Sequence, residues 1–205
     1  MGAQSTRLSI FPLPGALLFP RMHLPLHIFE PRYRAMVSDS LARDRRIGMI
    51  QPRGGGTVPP LFDIGCAGKI AQFEALDDGR FNLVLEGLAL FRIVRELDVT
   101  TPFRQVEAEL LPAPDMETLP HAARAALEAE SRRFADAQGY AVDWDSVSRL
   151  DDESLVNGVA QIAPFDVAAK QALIEAPSLA DRAELLTQLM AFFGRTDGDD
   201  TATLQ

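Results

Sequence analysis

Three histidines, one cysteine and a scatter of carboxylates bound the chemistry this chain can carry. His23 and His27 stand four residues apart, with Glu30 three residues further on. On a helix, imidazoles at that spacing share a face and can chelate zinc. Pro25 lies between them and removes a backbone donor, which argues for an extended segment. In a strand the two positions share a face but lie about 13 Å apart, too far to hold one ion. The expectation is no metal and no cofactor, with His27 packing or hydrogen-bonding and His23 peripheral. A hydrolase built on His23, His27 and Glu30 is the enzymatic alternative. A nucleophilic triad needs a Ser or Cys, a His and an acid. His121 is the only other histidine, and no G-x-S-x-G elbow is present, so no catalytic residue is assigned. Cys66 sits between Gly65 and Ala67 in an apolar run and reads as a small buried hydrophobe. Gly54-Gly55-Gly56 has no following Lys, so it reads as a loop and not as a phosphate cradle.

The stretch Glu30-Pro31-Arg32-Tyr33 joins an extended segment to a helix. Glu30 stands at the positive end of that helix, where a carboxylate can cap free amides and pair with Arg32 or Arg34. Arg and Tyr are also favoured anchors in binding surfaces. Met22, His27, Phe29, Glu30, Arg32 and Tyr33 are therefore the candidate peptide-binding residues. Met22, Phe29, Phe19 and Met36 either form an adaptable apolar surface or fill the core, and most of them are assigned to the core.

The first 112 residues that must position this cluster read mostly as strand. Leu8–Phe11 and Ala16–Phe19 are short apolar runs parted by Pro12, Pro14 and Gly15. Met22–Phe29 is extended, and Pro25 makes it an edge, a bulge or an irregular strand. Glu30–Asp44 is a helix, with Pro31 in its first turn and Tyr33, Met36, Val37 and Leu41 at helical spacing. Ile47–Ile50 is a strand. Ile64–Ala75 and Arg80–Glu86 form a hairpin about Asp77-Asp78-Gly79. Gly87 interrupts, and Leu90–Leu97 and Phe103–Leu111 complete a barrel-like set of six to eight strands. Pro112-Ala113-Pro114-Asp115 marks the boundary, after which the period changes from two to 3.6. Helices follow over Pro120–Ala137 and Ser154–Ile162, then from Asp166 to Glu175 and from Ser178 to Gly194. Asp166 and Ser178 are the N-caps, with Asp181 completing a short capping box, and Gly139 is a C-terminal cap. The organisation is thus α+β: a β-rich lobe over 8–112, a helical lobe over 115–194 and a disordered tail over 195–205.

The 205 residues suffice to bury roughly 70% of the chain's extended surface, enough for a core without staples. The net charge of −9 repels phosphate at long range, so neither a nucleic acid nor an anionic membrane is an expected partner. A lone cysteine makes no intrachain disulfide, and a reducing cytoplasm is the expected location. Leu8–Pro20 mimics the apolar part of a signal peptide, but Pro12 and Pro14 break it and no cleavage site follows.

Phe11-Pro12-Leu13-Pro14-Gly15, Leu18-Phe19-Pro20 and Leu24-Pro25-Leu26-His27-Ile28-Phe29-Glu30-Pro31-Arg32-Tyr33 together resemble the N-terminal substrate-binding domain of Lon proteases. Gly68-Lys69-Ile70, Asp78-Gly79-Arg80-Phe81, Leu85-Glu86-Gly87, Phe91-Arg92-Ile93 and Lys170–Glu175 agree, so the resemblance covers about Leu8 to Phe193. It implies a PUA-like pseudo-barrel lobe followed by a helical lobe. It also implies capture of unfolded or tagged polypeptides, with a protease or chaperone subunit as a further partner. Lon proper continues into an ATPase with a phosphate loop and a Ser-Lys protease, and neither signature is present here. The resemblance therefore implies a non-catalytic binding module, an adaptor or regulator of ATP-dependent proteolysis. The client surface is expected on the β-lobe edge or in a groove between lobes. An RNA-binding role by analogy with PUA-like barrels is the other alternative, opposed by the acidic charge.

Overall fold

The computed structural model describes residues 5–112 and 116–199. Six strands run in chain order: β1 (Ser5–Pro12), β2 (His23–Ile28), β3 (Arg46–Ile50), β4 (Ile64–Ala75), β5 (Phe81–Glu96) and β6 (Gln105–Leu110). Six helices interleave with and follow them: α1 (Pro31–Leu41), α2 (His121–Ala137), α3 (Trp144–Val147), α4 (Asp152–Ile162), α5 (Val167–Glu175) and α6 (Leu179–Asp199). The chain divides into two compact units, Met1–Ala113 and Pro114–Gln205, and the mixture of sheet and helix is an α+β fold. The expected boundary at Pro112–Asp115 falls largely on residues 113–115, which lie outside the described residues.

The strand order is β2-β5-β4-β3-β1-β6, and a further β5–β6 pairing closes five of the strands into a ring with β2 outside it. β1 and β3 run parallel, with Phe11 opposite Met49; the other ladders are antiparallel. Inside the ring, Leu8, Ile10, Ile50, Ala67, Val106 and Ala108 surround Phe91, which has no exposed surface. Phe91 occupies room that two glycines leave. A Cβ on Gly48 would press on the Phe91 ring and on Leu8; one on Gly65 would strike the ring and the Met49 carbonyl oxygen. At full strand length β5 reaches from the outer flap, where it pairs β2 and β4, into the ring, where it pairs β6 and β4.

Three sequence expectations are corrected in this unit. Ala16–Phe19 is not a strand: Leu17, Leu18 and Phe19 are buried as irregular chain that fills the core without joining a ladder. Apolar runs report burial, and burial does not require pairing. Gly87 does not end a strand either, for β5 continues through it. The Phe19 carbonyl lies where a Cβ of residue 87 would be, so glycine admits the crossing segment, and Arg21 N–H then bonds the Gly87 carbonyl at 2.8 Å. α1 itself is shorter than Glu30–Asp44; its C-cap is Ala42, and Arg45 after it takes a φ of 60°.

In the second unit, α2 packs along α6, with Leu127, Leu186 and Met190 fully buried. Phe134, Phe165 and Phe193 extend that core as a chain of rings 5.9 and 5.4 Å apart. The expected caps are present. Asp166 accepts the Ala169 N–H at 2.7 Å, and Ser178 Oγ accepts the Asp181 N–H at 3.1 Å. Gly139 has the left-handed φ of a helix terminator, 71°. Gly194 does not: α6 continues to Asp199, so the tail expected to be disordered from 195 is helical at least that far, and 200–205 lie outside the described residues. A glycine within a helix costs about 1 kcal/mol, which is too little to end it. Lys170 is buried, 5% exposed, and its Nζ donates to the Gln161 carbonyl at 2.8 Å, at the negative C-terminal end of α4. Burial pushes this amine below its ordinary range.

Arg124 is the hub of the unit's first turn. It donates to Asp152 at 2.6 Å, to Glu128 at 2.9 Å, and to the carbonyls of Ser148 and Leu150. Asp152 also accepts the Leu119 N–H at 2.8 Å. That backbone bond, followed by the Arg124 bond, holds the Asp152 carboxyl below the usual carboxylate range.

Two outcomes follow. Phe91→Ala, which empties the ring interior, should lower stability by about 3–5 kcal/mol in urea unfolding. Asp152 has a depressed pKa when folded, so its contribution is complete above the unfolded carboxylate value and is lost as the pH falls through the folded one. Asp152→Asn should therefore lower the melting temperature at neutral pH, and the gap from the parent should narrow steadily below about pH 4.

Candidate functional site

β2 has one strand neighbour, β5, among the described residues, and pairs with it in unbroken register from His23 opposite Glu86 to Ile28 opposite Phe81. Of the three expected alternatives the structure shows the edge: Pro25 lies on an edge strand and does not disturb its ladder. Its register explains why. The Gly87 N–H bonds the Met22 carbonyl, so Leu24, Leu26 and Ile28 turn their backbone groups towards β5. His23, Pro25 and His27 turn theirs outward, and the missing amide of Pro25 falls on the outer edge, where no ladder bond is lost.

On the flap, Pro25–Val84–Gln72 and His27–Asn82–Glu74 form cross-strand rows that line a groove of about 530 Å³. The Asn82 amide nitrogen donates to Glu74 at 3.1 Å, which leaves its oxygen to accept from His27 Nδ1 at 2.7 Å. Arg80 can only donate, so His27 Nε2, 3.3 Å away, accepts from it. Both ring nitrogens are thus engaged with protein, which is a hydrogen-bonding role. Phe29 follows the strand, 61% exposed, with its ring 6.2 Å from that of His27. Met22 is half-buried at the start of the strand.

Glu30, Arg32 and Tyr33 belong to a different place. Glu30 is the N-cap residue of α1, but its side chain makes no capping bond. Its backbone carbonyl accepts from Tyr33 and Arg34, and its carboxylate takes two bonds from Arg32, at 3.0 and 2.9 Å. Tyr33 is 6% exposed, its ring 4.3 Å from Phe11 and covered by the Arg32 guanidinium at 4.5 Å. It is a core anchor on one side. On the other it lines, with Arg32, a separate cavity of about 220 Å³. The rest of that wall is Gly54–Thr57, Phe103, Arg104 and a set of prolines. Burial raises the phenol pKa, and Arg32 and Arg104 pull it partly back, so the hydroxyl is a protonated donor at neutral pH. Arg104 is fixed by a two-pronged pair with Glu96, at 2.6 and 2.7 Å, and by the Pro59 carbonyl. The same pair holds the Glu96 carboxyl low.

The six candidate residues are therefore divided between a groove on the sheet edge and a cavity at the start of α1. The sequence reading missed Val84 and Asn82, which lie across from β2 on β5, and Gln72 and Glu74, which the hairpin sets beside them on β4. It also missed Arg104 and Phe103, for which no local signal exists. The glycine loop was visible, but it was judged only against a phosphate-binding pattern. Cys66 is fully buried, and burial pushes its thiol far above the ordinary range, so it is no nucleophile. No group of three His, Cys, Asp or Glu suited to a metal exists among the described residues. No described helix is long and apolar enough to cross a membrane.

The profile of the ATP-dependent protease La (LON) substrate-binding domain matches residues 7–191. Lon protease of Escherichia coli K12 is 24% identical over 198 residues, 92% of this chain and 25% of that protein. Lon protease 1 of Bdellovibrio bacteriovorus is 23% identical over 192 residues, 88% of this chain and 24% of that protein. The chain thus spans about a quarter of the length of these curated relatives. Among solved structures, a Lon N-terminal domain protein from Xanthomonas campestris superposes with a TM-score of 0.67 at 21% identity, covering 91% of this chain and 98% of that one. The N-terminal domain of a Mycobacterium avium complex Lon protease gives 0.64 at 17% identity, with the same coverage. The edge-strand flap, the five-stranded ring and the helical unit are thus those of a known domain, and the chain belongs to the Lon substrate-binding domain family.

Proposed function

We propose that these 205 residues form a polypeptide-recognition module that binds extended segments of client proteins and performs no chemistry on them. The observation that carries this reading is β2. Among the described residues it is a strand with one neighbour, with the backbone groups of Pro25 and His27 turned outward and exposed Phe29 at its end. An extended peptide can add to such an edge through its main chain, and the adjoining groove can select side chains. Pro25 offers an acceptor but no donor, which limits uncontrolled strand addition while leaving the His27 backbone as a bonding position. Met22, His27 and Phe29 serve this edge, while Glu30, Arg32 and Tyr33 stand at the start of α1 just beyond it. Membership of the family supports polypeptides as the ligand class. An adaptor or regulator role towards an ATP-dependent protease, and residence in the cytoplasm, belong to the same proposal; the single buried thiol suits a reducing compartment.

The test is photo-crosslinking of an unfolded, labelled client to a probe placed along the chain. Adducts should concentrate between Met22 and Arg34. His27→Ala with Phe29→Ala, both at exposed positions, should weaken client binding by about 1–3 kcal/mol without changing the melting curve. Unchanged affinity in a folded double variant moves the site off this edge. In the same preparations, casein and ATP should remain intact; ATP-dependent casein loss that follows this chain through purification refutes the non-catalytic reading.

A further inference from the structure

The cavity at the start of α1 has an unusual division of labour on its walls. Its apolar lining comes from prolines and Phe103, and a proline contributes no N–H, so the hydrogen-bond donors come from a few other residues. The backbone amides of Gly54, Gly55, Gly56 and Thr57 bond no other group among the described residues, and positive φ at Gly54 (91°) and Gly56 (116°) folds that loop. Consecutive free amides in such a loop are suited to an anion. Arg32 and Arg104 add guanidinium N–H donors, each guanidinium also paired with a carboxylate outside the lining, Glu30 and Glu96, and no Asp or Glu lines the space itself. Tyr33 is the second, independent mark of a site. It is 6% exposed and lines the cavity, and its hydroxyl bonds nothing among the described residues. That hydroxyl is not sealed in the core, so it is open to donate to a molecule in the cavity.

We infer that this cavity receives the C-terminal carboxylate of a polypeptide, with the last residue's apolar side chain against the prolines and Phe103. The volume, about 220 Å³, suits one residue and its carboxylate and is too small for a strand. A carboxylate accepts several charge-assisted bonds at once, which the amides, the tyrosine hydroxyl and the arginines together supply. The inference rests on the proposed polypeptide-binding role and narrows its substrate class to chains with a free, uncharged, apolar C-terminal residue. It also gives one domain two contacts on one client: main chain on the β2 edge, terminus in the cavity.

The experiment compares two fluorescein-labelled peptides of about ten residues by fluorescence anisotropy. They are identical in sequence and end in leucine, one as the free acid and one as the C-terminal amide. The acid should bind about tenfold more tightly. Tyr33→Phe keeps the ring on Phe11 and removes only the hydroxyl; it should weaken the acid several-fold and leave the amide unchanged. Arg32→Gln should do the same. Equal affinity of acid and amide overturns the inference and leaves the polypeptide-binding reading standing. A difference between acid and amide that persists in full in both variants also overturns it, since the carboxylate is then read elsewhere. Absence of binding by both peptides and by an unfolded client removes the inference together with the reading beneath it.

Discussion

Phe91 can stand inside the ring only because Gly48 and Gly65 bring two strands close without side chains of their own. The rest of the β-rich unit depends on that fit. It fixes the inner half of β5, whose sixteen residues run without interruption into the flap. The flap holds β5 against β2 and β4 in the rows Pro25–Val84–Gln72 and His27–Asn82–Glu74, and two irregularities in the β4–β5 register, at Ala67/Gly68 and Ile70/Gln72, lie between those rows and Phe91. A core contact and the candidate groove are here two ends of one strand.

The sequence made the elements legible where local chemistry decides them. The Asp77–Gly79 turn, the proline at the start of α1, and the caps at Asp166 and Ser178 all act within a few residues, and each performs its expected role. What failed was inference from apolarity or from glycine alone. Leu17, Leu18 and Phe19 are as buried as any strand yet pair with nothing in a ladder, because the core accepts irregular chain as readily as sheet. Gly87 and Gly194 both read as breaks. One admits a crossing backbone inside a continuous strand, and the other is carried along by a helix packed on its partner.

The candidate site was half legible for a related reason. The block from Leu24 to Tyr33 is contiguous in sequence, and so its residues were assigned to one surface. The turn from β2 into α1 separates them. His27 belongs to the flap through Asn82 and Arg80, while Tyr33 goes down onto Phe11. The partners that complete each place, Asn82 and Glu74 in one and Arg104 and the Gly54–Thr57 loop in the other, are remote in the chain and reach it only through strand pairing. Local sequence offered the candidates; long-range register decided which of them lie together.

Lys170 lies buried against the end of α4, and the chain has one other lysine, exposed Lys69 on β4. Positive charge on this surface is therefore almost wholly arginine, whose guanidinium is a poor nucleophile at neutral pH. Amine-directed chemistry, whether a bifunctional ester in a tube or an acyl or ubiquitin-like tag in a cell, finds a single side chain on the β-rich unit and none on the helical one. Among the described residues, Lys69 is thus the one lysine such a reagent or tag can readily reach.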